Sequence, residues 1–111
     1  MVAAAFVRRG DIWLVSLDPT VGSEIRKTRP CVVISPSEMN DYMRTVIVAP
    51  MTTQGRPAPF RVSVRHAGKN GLILLDQIRA VDRTRLVKRS GALSSTTLDS
   101  TLSKLVEIFS V

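Results

Sequence analysis

Residues 22–35 read GSEIRKTRPCVVIS, and the two halves of that stretch obey different physics. The first half carries Glu24, Arg26, Lys27 and Arg29 without an apolar skeleton, the composition of a polar loop. The second half, Cys31 to Ile34, is an unbroken apolar run, a strand of the buried type. Pro30 sits at the junction. It cannot donate a ladder hydrogen bond, so it suits the first residue of a strand, and it biases Arg29 toward an extended backbone. Arg29 is thereby set where a mobile loop meets a rigid sheet, a place where a guanidinium can meet a phosphate in fixed geometry. A solvated charged turn ahead of a strand has the same pattern.

Outward from this stretch the polarity pattern stays mostly β. Residues 11–17 (DIWLVSL) form a strand ended by Asp18-Pro19, and residues 45–49 (TVIVA) form another. Between 35 and 43, SPSEMNDYM predicts a short helix or turn, with Ser35 or Ser37 as cap and Pro36 near its start. Residues 54–59 (QGRPAP) are a loop by composition. Residues 60–64 (FRVSV) alternate cleanly, Lys69-Asn70-Gly71 signals a tight turn into Leu72 to Leu75, and Gln77 to Val81 is a further strand. Residues 86–93 give a weaker strand pattern, interrupted by Gly91. The C-terminus changes period: Leu98, Leu102, Leu105, Val106 and Phe109 recur at helical spacing, with Ser94 or Ser95 as N-cap. The expected architecture is mostly β (α+β), a small, strongly curved antiparallel sheet or half-open barrel covered by one amphipathic helix.

Composition limits the functions available. The 111 residues suit one domain, residues 1–111, with 44% hydrophobic against 23% charged content, a folded chain rather than a disordered tail. A formal charge of +7 favours polyanionic partners, nucleic acid first. No apolar run approaches the ~18 residues of a membrane span. The opening MVAAAFVRRG reverses the charge order of a secretory signal, so the cytoplasm is the expected compartment. The lone Cys31 and lone His66 cannot build a zinc site by the usual spacings, and no metal or other cofactor is expected. Cys31 reads as a small core residue and His66 as an exposed loop residue. No glycine cradle for a nucleotide and no nucleophile motif occurs. What remains is arginine, hydroxyls and carboxylates. Those suit phosphodiester cleavage in RNA, where the 2′-hydroxyl is the nucleophile and the protein positions it and stabilises charge.

Several blocks in order now carry a resemblance: Arg9-Gly-Asp-Ile-Trp13, Asp18-Pro19, Gly22-Ser-Glu24, Arg29-Pro30 with CVVIS, Ala49-Pro-Met-Thr-Thr-Gln54, and Leu75-Asp-Gln-Ile-Arg79. Together they resemble the MazF/PemK/Kid family of toxin endoribonucleases, over nearly the whole chain. The resemblance implies an SH3-like barrel, a homodimer, and metal-independent cleavage of single-stranded mRNA at short sequences. It also implies a cognate antitoxin whose acidic tail occupies the RNA groove.

By that resemblance Arg29 matches the catalytic arginine, expected to neutralise the scissile phosphate, and Thr52 the hydroxyl residue paired with it. Glu24 matches an acid proposed as general base in some members, and Asp76 one proposed in others. Arg26, Lys27, Arg56 and Arg79 are the cations expected to face the polyanion. Thr28, Thr53, Gln54 and Gln77 complete the expected substrate-binding set. Two positions depart from the pattern: Thr28 stands where some members have histidine, and Leu74 where others have arginine. Both departures concern the identity of acid and base, leaving Arg29 and Thr52 as the firmer pair. Two alternatives keep the barrel and change the function. One is a gyrase poison of the CcdB type, which acts through an exposed C-terminal tryptophan; here Trp13 lies in the first strand and the chain ends Phe109-Ser110-Val111. The other is an RNA-binding module without catalysis. Phe6, Trp13, Tyr42, Phe60 and Phe109 are the only aromatics, and most are expected in the core, so recognition of bases would lean on polar groups. The loop of residues 18–28 is expected to be mobile.

Overall fold

Alternation along the chain dictates which strands meet. In the computed structural model, which describes residues 6–111, β1 (Asp11–Ser16) pairs antiparallel with β2 (Thr28–Val33), and β2 with β3 (Thr45–Thr52). The apolar N-terminal patch begins in residues 1–5 and so lies partly outside the described residues. The far side of β3 is shared. Its first half pairs with β6 (Arg79–Asp82), through Val46↔Val81 and Ile47↔Ala80, and its last residues pair with β5 (Lys69–Leu74). A hairpin joins β5 to β4 (Arg61–His66), and β7 (Leu86–Ala92) flanks β1 with two register shifts. Such shifts bend a strand and raise its twist. The result is a curled antiparallel sheet, ordered β4-β5-β3-β2-β1-β7 with β6 beside β3, and so a half-barrel.

The central strands are apolar without a break because both faces are covered. Trp13, Val15, Leu17, Cys31, Val33, Val46 and Val48 fill the concave cluster. Ile12, Val32, Ile34, Ala49, Met51 and Ile73 form a second cluster on the other face, joined by Leu105 of α2 (Ser95–Ile108). The period-2 alternation therefore sends successive residues of CVVIS to different cores. The helix packs through Leu98, Thr101, Leu102 and Leu105, and Leu105→Ala should cost about 2–5 kcal/mol. Ser94 caps it, its Oγ accepting from Thr97 N at 3.2 Å.

Several boundaries differ from the sequence reading. β2 starts at Thr28, so Arg29 and Pro30 lie within the strand. Proline is tolerated there because the β2–β3 pairs begin only at Cys31↔Pro50, leaving one flank of Pro30 outside a ladder. β3 runs on to Thr52, and residues 75–77 are a 3₁₀ turn rather than the start of β6. The short helix α1 (Ser37–Tyr42) has Pro36 at its N-cap and no side-chain cap; Ser35 instead bonds the buried Asn40 at 2.5 Å. On α2 the expected face is narrower, since Val106 and Phe109 are exposed while Thr101 is buried. The aromatics also differ from expectation: Trp13 is buried, whereas Phe6, Tyr42, Phe60 and Phe109 are exposed. With its tryptophan in the core, the chain lacks the exposed feature of the gyrase-poison reading. No helix among the described residues is long and apolar enough to cross a membrane.

Candidate active site

Where β2 and β3 run out of the core, their ends form a cleft. The Cys31↔Pro50 register, extended toward the strand ends, sets Arg29 opposite Thr52. Both line a cleft of about 230 Å³ with Pro30, Met51, Thr53 and Val64, closed on the far side by His66, Ala67, Lys69 and Gly71. The floor is apolar and the rim is cationic or hydroxylic. No carboxylate lines it.

Arg29 is exposed, and its Nε donates to the Arg26 carbonyl oxygen at 3.3 Å. That one bond orients the plane, while the two terminal nitrogens have no partner among the described residues. A guanidinium offered in this way presents its fork to a ligand. Thr52 is committed locally. Its hydroxyl donates to Gln54 O at 2.7 Å and accepts from Gln54 N at 3.0 Å, which folds the turn after β3. One lone pair of that oxygen is left over. Gly71 makes the close approach possible: a Cβ there would stand 2.6 Å from the Thr52 carbonyl oxygen.

The other expected residues gather elsewhere. Glu24, Asp76, Gln77 and Arg79 line a second cleft with Ile25, Pro50 and Ile78. Each of the four polar side chains here makes at least one hydrogen bond, and Asp76 is engaged through both oxygens. Asp76 takes a two-pronged bond from Arg61, both contacts at 3.2 Å, and Arg61 also donates to the Arg56 carbonyl oxygen at 3.1 Å. Glu24 Oε1 accepts from Val21 N at 2.5 Å, closing its own turn. Gln77 Oε1 accepts from Ile25 N at 2.8 Å, and Arg79 donates to Leu17 O at 3.1 Å. Gln77 and Arg79 thus hold the loop of residues 18–27. Ile25 packs on the concave core, so the premise that this loop lacks an apolar anchor is corrected. Arg26 donates to Gly22 O at 3.1 Å, and Arg26, Lys27, Thr28, Thr53, Gln54 and Arg56 are all exposed; of these only Thr53 lines either cleft.

His66 lies elsewhere than the sequence reading placed it, and it lines the Arg29 cleft. It is half-buried at the end of β4, not in a loop, and its Nε2 lies 2.9 Å from Ser90 Oγ on β7. The turn follows it, at Ala67 and Gly68 with φ of 51 and 76, ahead of the expected Lys69–Gly71 position. The signal was available: His66 continues the alternation of Val62 and Val64. Cys31 is buried as expected. Desolvation pushes its thiol up to about 12, against a smaller opposing effect of the Arg79 charge, so it is no nucleophile at neutral pH.

A curled half-barrel with an unpaired arginine beside a threonine at the mouth of its central strands is the frame of a small toxin of the MazF kind. A sequence model of the PemK-like, MazF-like toxins of type II toxin–antitoxin systems matches residues 8–109, and the chain belongs to that family. The endoribonuclease PemK of Escherichia coli is 38% identical over 108 residues, 92% of this chain and 81% of PemK. The endoribonuclease MazF of Staphylococcus epidermidis is 37% identical over 108 residues, 92% of this chain and 84% of its own. Among solved structures, MazF of Deinococcus radiodurans superposes with a TM-score of 0.82 at 26% identity, covering 93% of this chain and 96% of that one.

Proposed function

We propose that this chain is an endoribonuclease toxin that cuts single-stranded mRNA at the Arg29 cleft. The unpaired guanidinium of Arg29 beside Thr52 carries the reading, because it offers a free fork where a phosphate would enter. In the reaction the ribose 2′-hydroxyl loses its proton to water as its oxygen attacks phosphorus, the bond from phosphorus to the 5′-oxygen breaks, and that oxygen takes a proton from water, leaving a 2′,3′-cyclic phosphate and a 5′-hydroxyl. Arg29 offsets the charge that builds on the phosphorane oxygens. Thr52 holds the turn that sets the cleft wall and has a lone pair left to accept from the attacking hydroxyl. Neither Glu24 nor Asp76 lines this cleft, and Asp76 is engaged by Arg61, so Arg29 and Thr52 are the residues on which the reading rests.

The protein works as one domain, in the cytoplasm, as a homodimer, and is silenced by a cognate antitoxin whose acidic tail competes for the basic rim. The nucleophile belongs to the substrate, so no metal is required. The test is a purified sample incubated with a long RNA in EDTA, with ends identified chemically. Cleavage with cyclic-phosphate ends is expected, and an RNA carrying 2′-deoxyribose at the scissile nucleotide should stay intact. Comparable cutting of that deoxy substrate would overturn the internal-attack mechanism; retention of RNA without cleavage would make the protein a binding module.

A further inference from the structure

The far wall of the Arg29 cleft is built more firmly than a scissile phosphate alone requires. His66 is fixed from two sides: Nε2 lies 2.9 Å from the Ser90 hydroxyl, and the ring lies against Gly91, where a Cβ would come within 3.4 Å of Cε1. This contact links β4 to β7, the two ends of the strand order. The other ring nitrogen, Nδ1, has no hydrogen-bond partner among the described residues. Lys69 is the cross-strand partner of His66, and its ammonium makes no ion pair or hydrogen bond among them. Between these two and Arg29 lies a floor of Pro30, Met51 and Val64. The space, about 230 Å³, is below the roughly 300–1,000 Å³ of a drug-sized site. It suits one flat group with an apolar face and a polar edge.

We propose that this cleft takes a single unstacked base next to the phosphate held by Arg29, and that His66 and Lys69 read its edge. The inference rests on the nuclease reading above. A base with a carbonyl where cytosine and adenine carry an exocyclic amine, uracil through O4 or guanine through O6, is the class selected. Lys69 offers only donors, no carboxylate is at hand to accept from an exocyclic amine, and a carbonyl edge can draw the histidine tautomer with hydrogen on Nδ1 while Ser90 donates to Nε2. Ser90 is then the positioning residue and His66 and Lys69 are the specificity-determining ones.

The experiment is cleavage of a randomised RNA library by wild type, His66→Ala, Lys69→Ala and Ser90→Ala, with the cut ends sequenced. Wild type should favour uracil or guanine at one position flanking the cut, and the sequences distinguish the two. His66→Ala and Lys69→Ala should relax that single position by about 5- to 100-fold, the range of one base-edge contact, while the other positions keep their preferences. Ser90→Ala should relax it less. Lys69 is exposed on the hairpin, so its variant tests the idea even if His66→Ala fails to fold. Unchanged preference in both Lys69→Ala and a folded His66→Ala, or adenine or cytosine at both flanking positions, would overturn the base pocket and leave the nuclease intact. No cut products from wild type would overturn both.

Discussion

The two clefts on this chain hold the same classes of side chain in opposite states. Around Arg29 the cation is unpaired, the floor is apolar and no acid is near. Around Asp76 the acid is clamped by Arg61, and the glutamine and arginine beside it each make one bond to the backbone of residues 17–25. A charge that is already satisfied has little left to give a ligand. An unsatisfied one at a rigid strand end is available at small reorganisation cost. Candidate residues lie in both clefts, and the proposal that RNA enters at Arg29 rests on the difference in how their side chains are engaged.

The largest effect should come from removing the free cation. Arg29→Ala should lower single-turnover cleavage by about 100- to 1000-fold, the usual loss for one transition-state charge contact. Arg29→Lys should recover little, because a point charge does not replace the planar fork. Full recovery by lysine would mean that the field, not the geometry, matters. Next in size is the wall itself. Gly71→Ala forces Cβ toward the Thr52 carbonyl, and overpacking of that kind costs about 1–3 kcal/mol, read as a lower melting temperature together with slower cleavage. A variant with unaltered melting and activity would show that the β3–β5 approach is looser than described.

The Asp76 cleft should respond differently. Asp76→Asn removes a partly exposed ion pair, worth about 0.2–1 kcal/mol, and should reduce cleavage by less than about tenfold. A loss as large as that of Arg29→Ala would return Asp76 to the chemistry and break the contrast. The core between the clefts gives a pH test. Burial holds the Cys31 thiol protonated to about pH 12, whereas the unfolded thiol ionises near its ordinary 9.0. The unfolded state therefore binds fewer protons between these values, and this group's contribution to stability declines as pH rises from about 9 toward 12. At pH 8 the native protein should resist thiol alkylation and react on unfolding.

Much of this was legible in the sequence, and the gaps have physical causes. The buried strand at Cys31, the alternation at Phe60–Val64 and the capped terminal helix follow from periodicity, so the curved sheet with its helix could be read. Arg29 could be placed by Pro30, though the strand claimed both residues, because whether a proline starts a strand depends on which neighbour pairs with it. His66 escaped because a lone histidine before Ala-Gly-Lys reads as loop until strand phase is followed through it. The engagement of Asp76 by Arg61 was hidden, since the two lie on separate elements and no local pattern links them. Val106 and Phe109 have the right period for a core, but a single helix on a curved sheet buries only a narrow stripe.

The central claim is that RNA enters at Arg29 rather than at Asp76, and backbone amide shifts of the labelled protein can locate it. The titrant is an RNA made uncleavable by 2′-deoxyribose at the scissile nucleotide. The amides of Arg29, Thr52, Thr53, His66 and Lys69 should move first and furthest, with those of Asp76, Gln77, Ile78 and Arg79 following weakly. Shifts concentrated at Asp76 to Arg79, with Arg29 and Thr52 unmoved, would contradict the account.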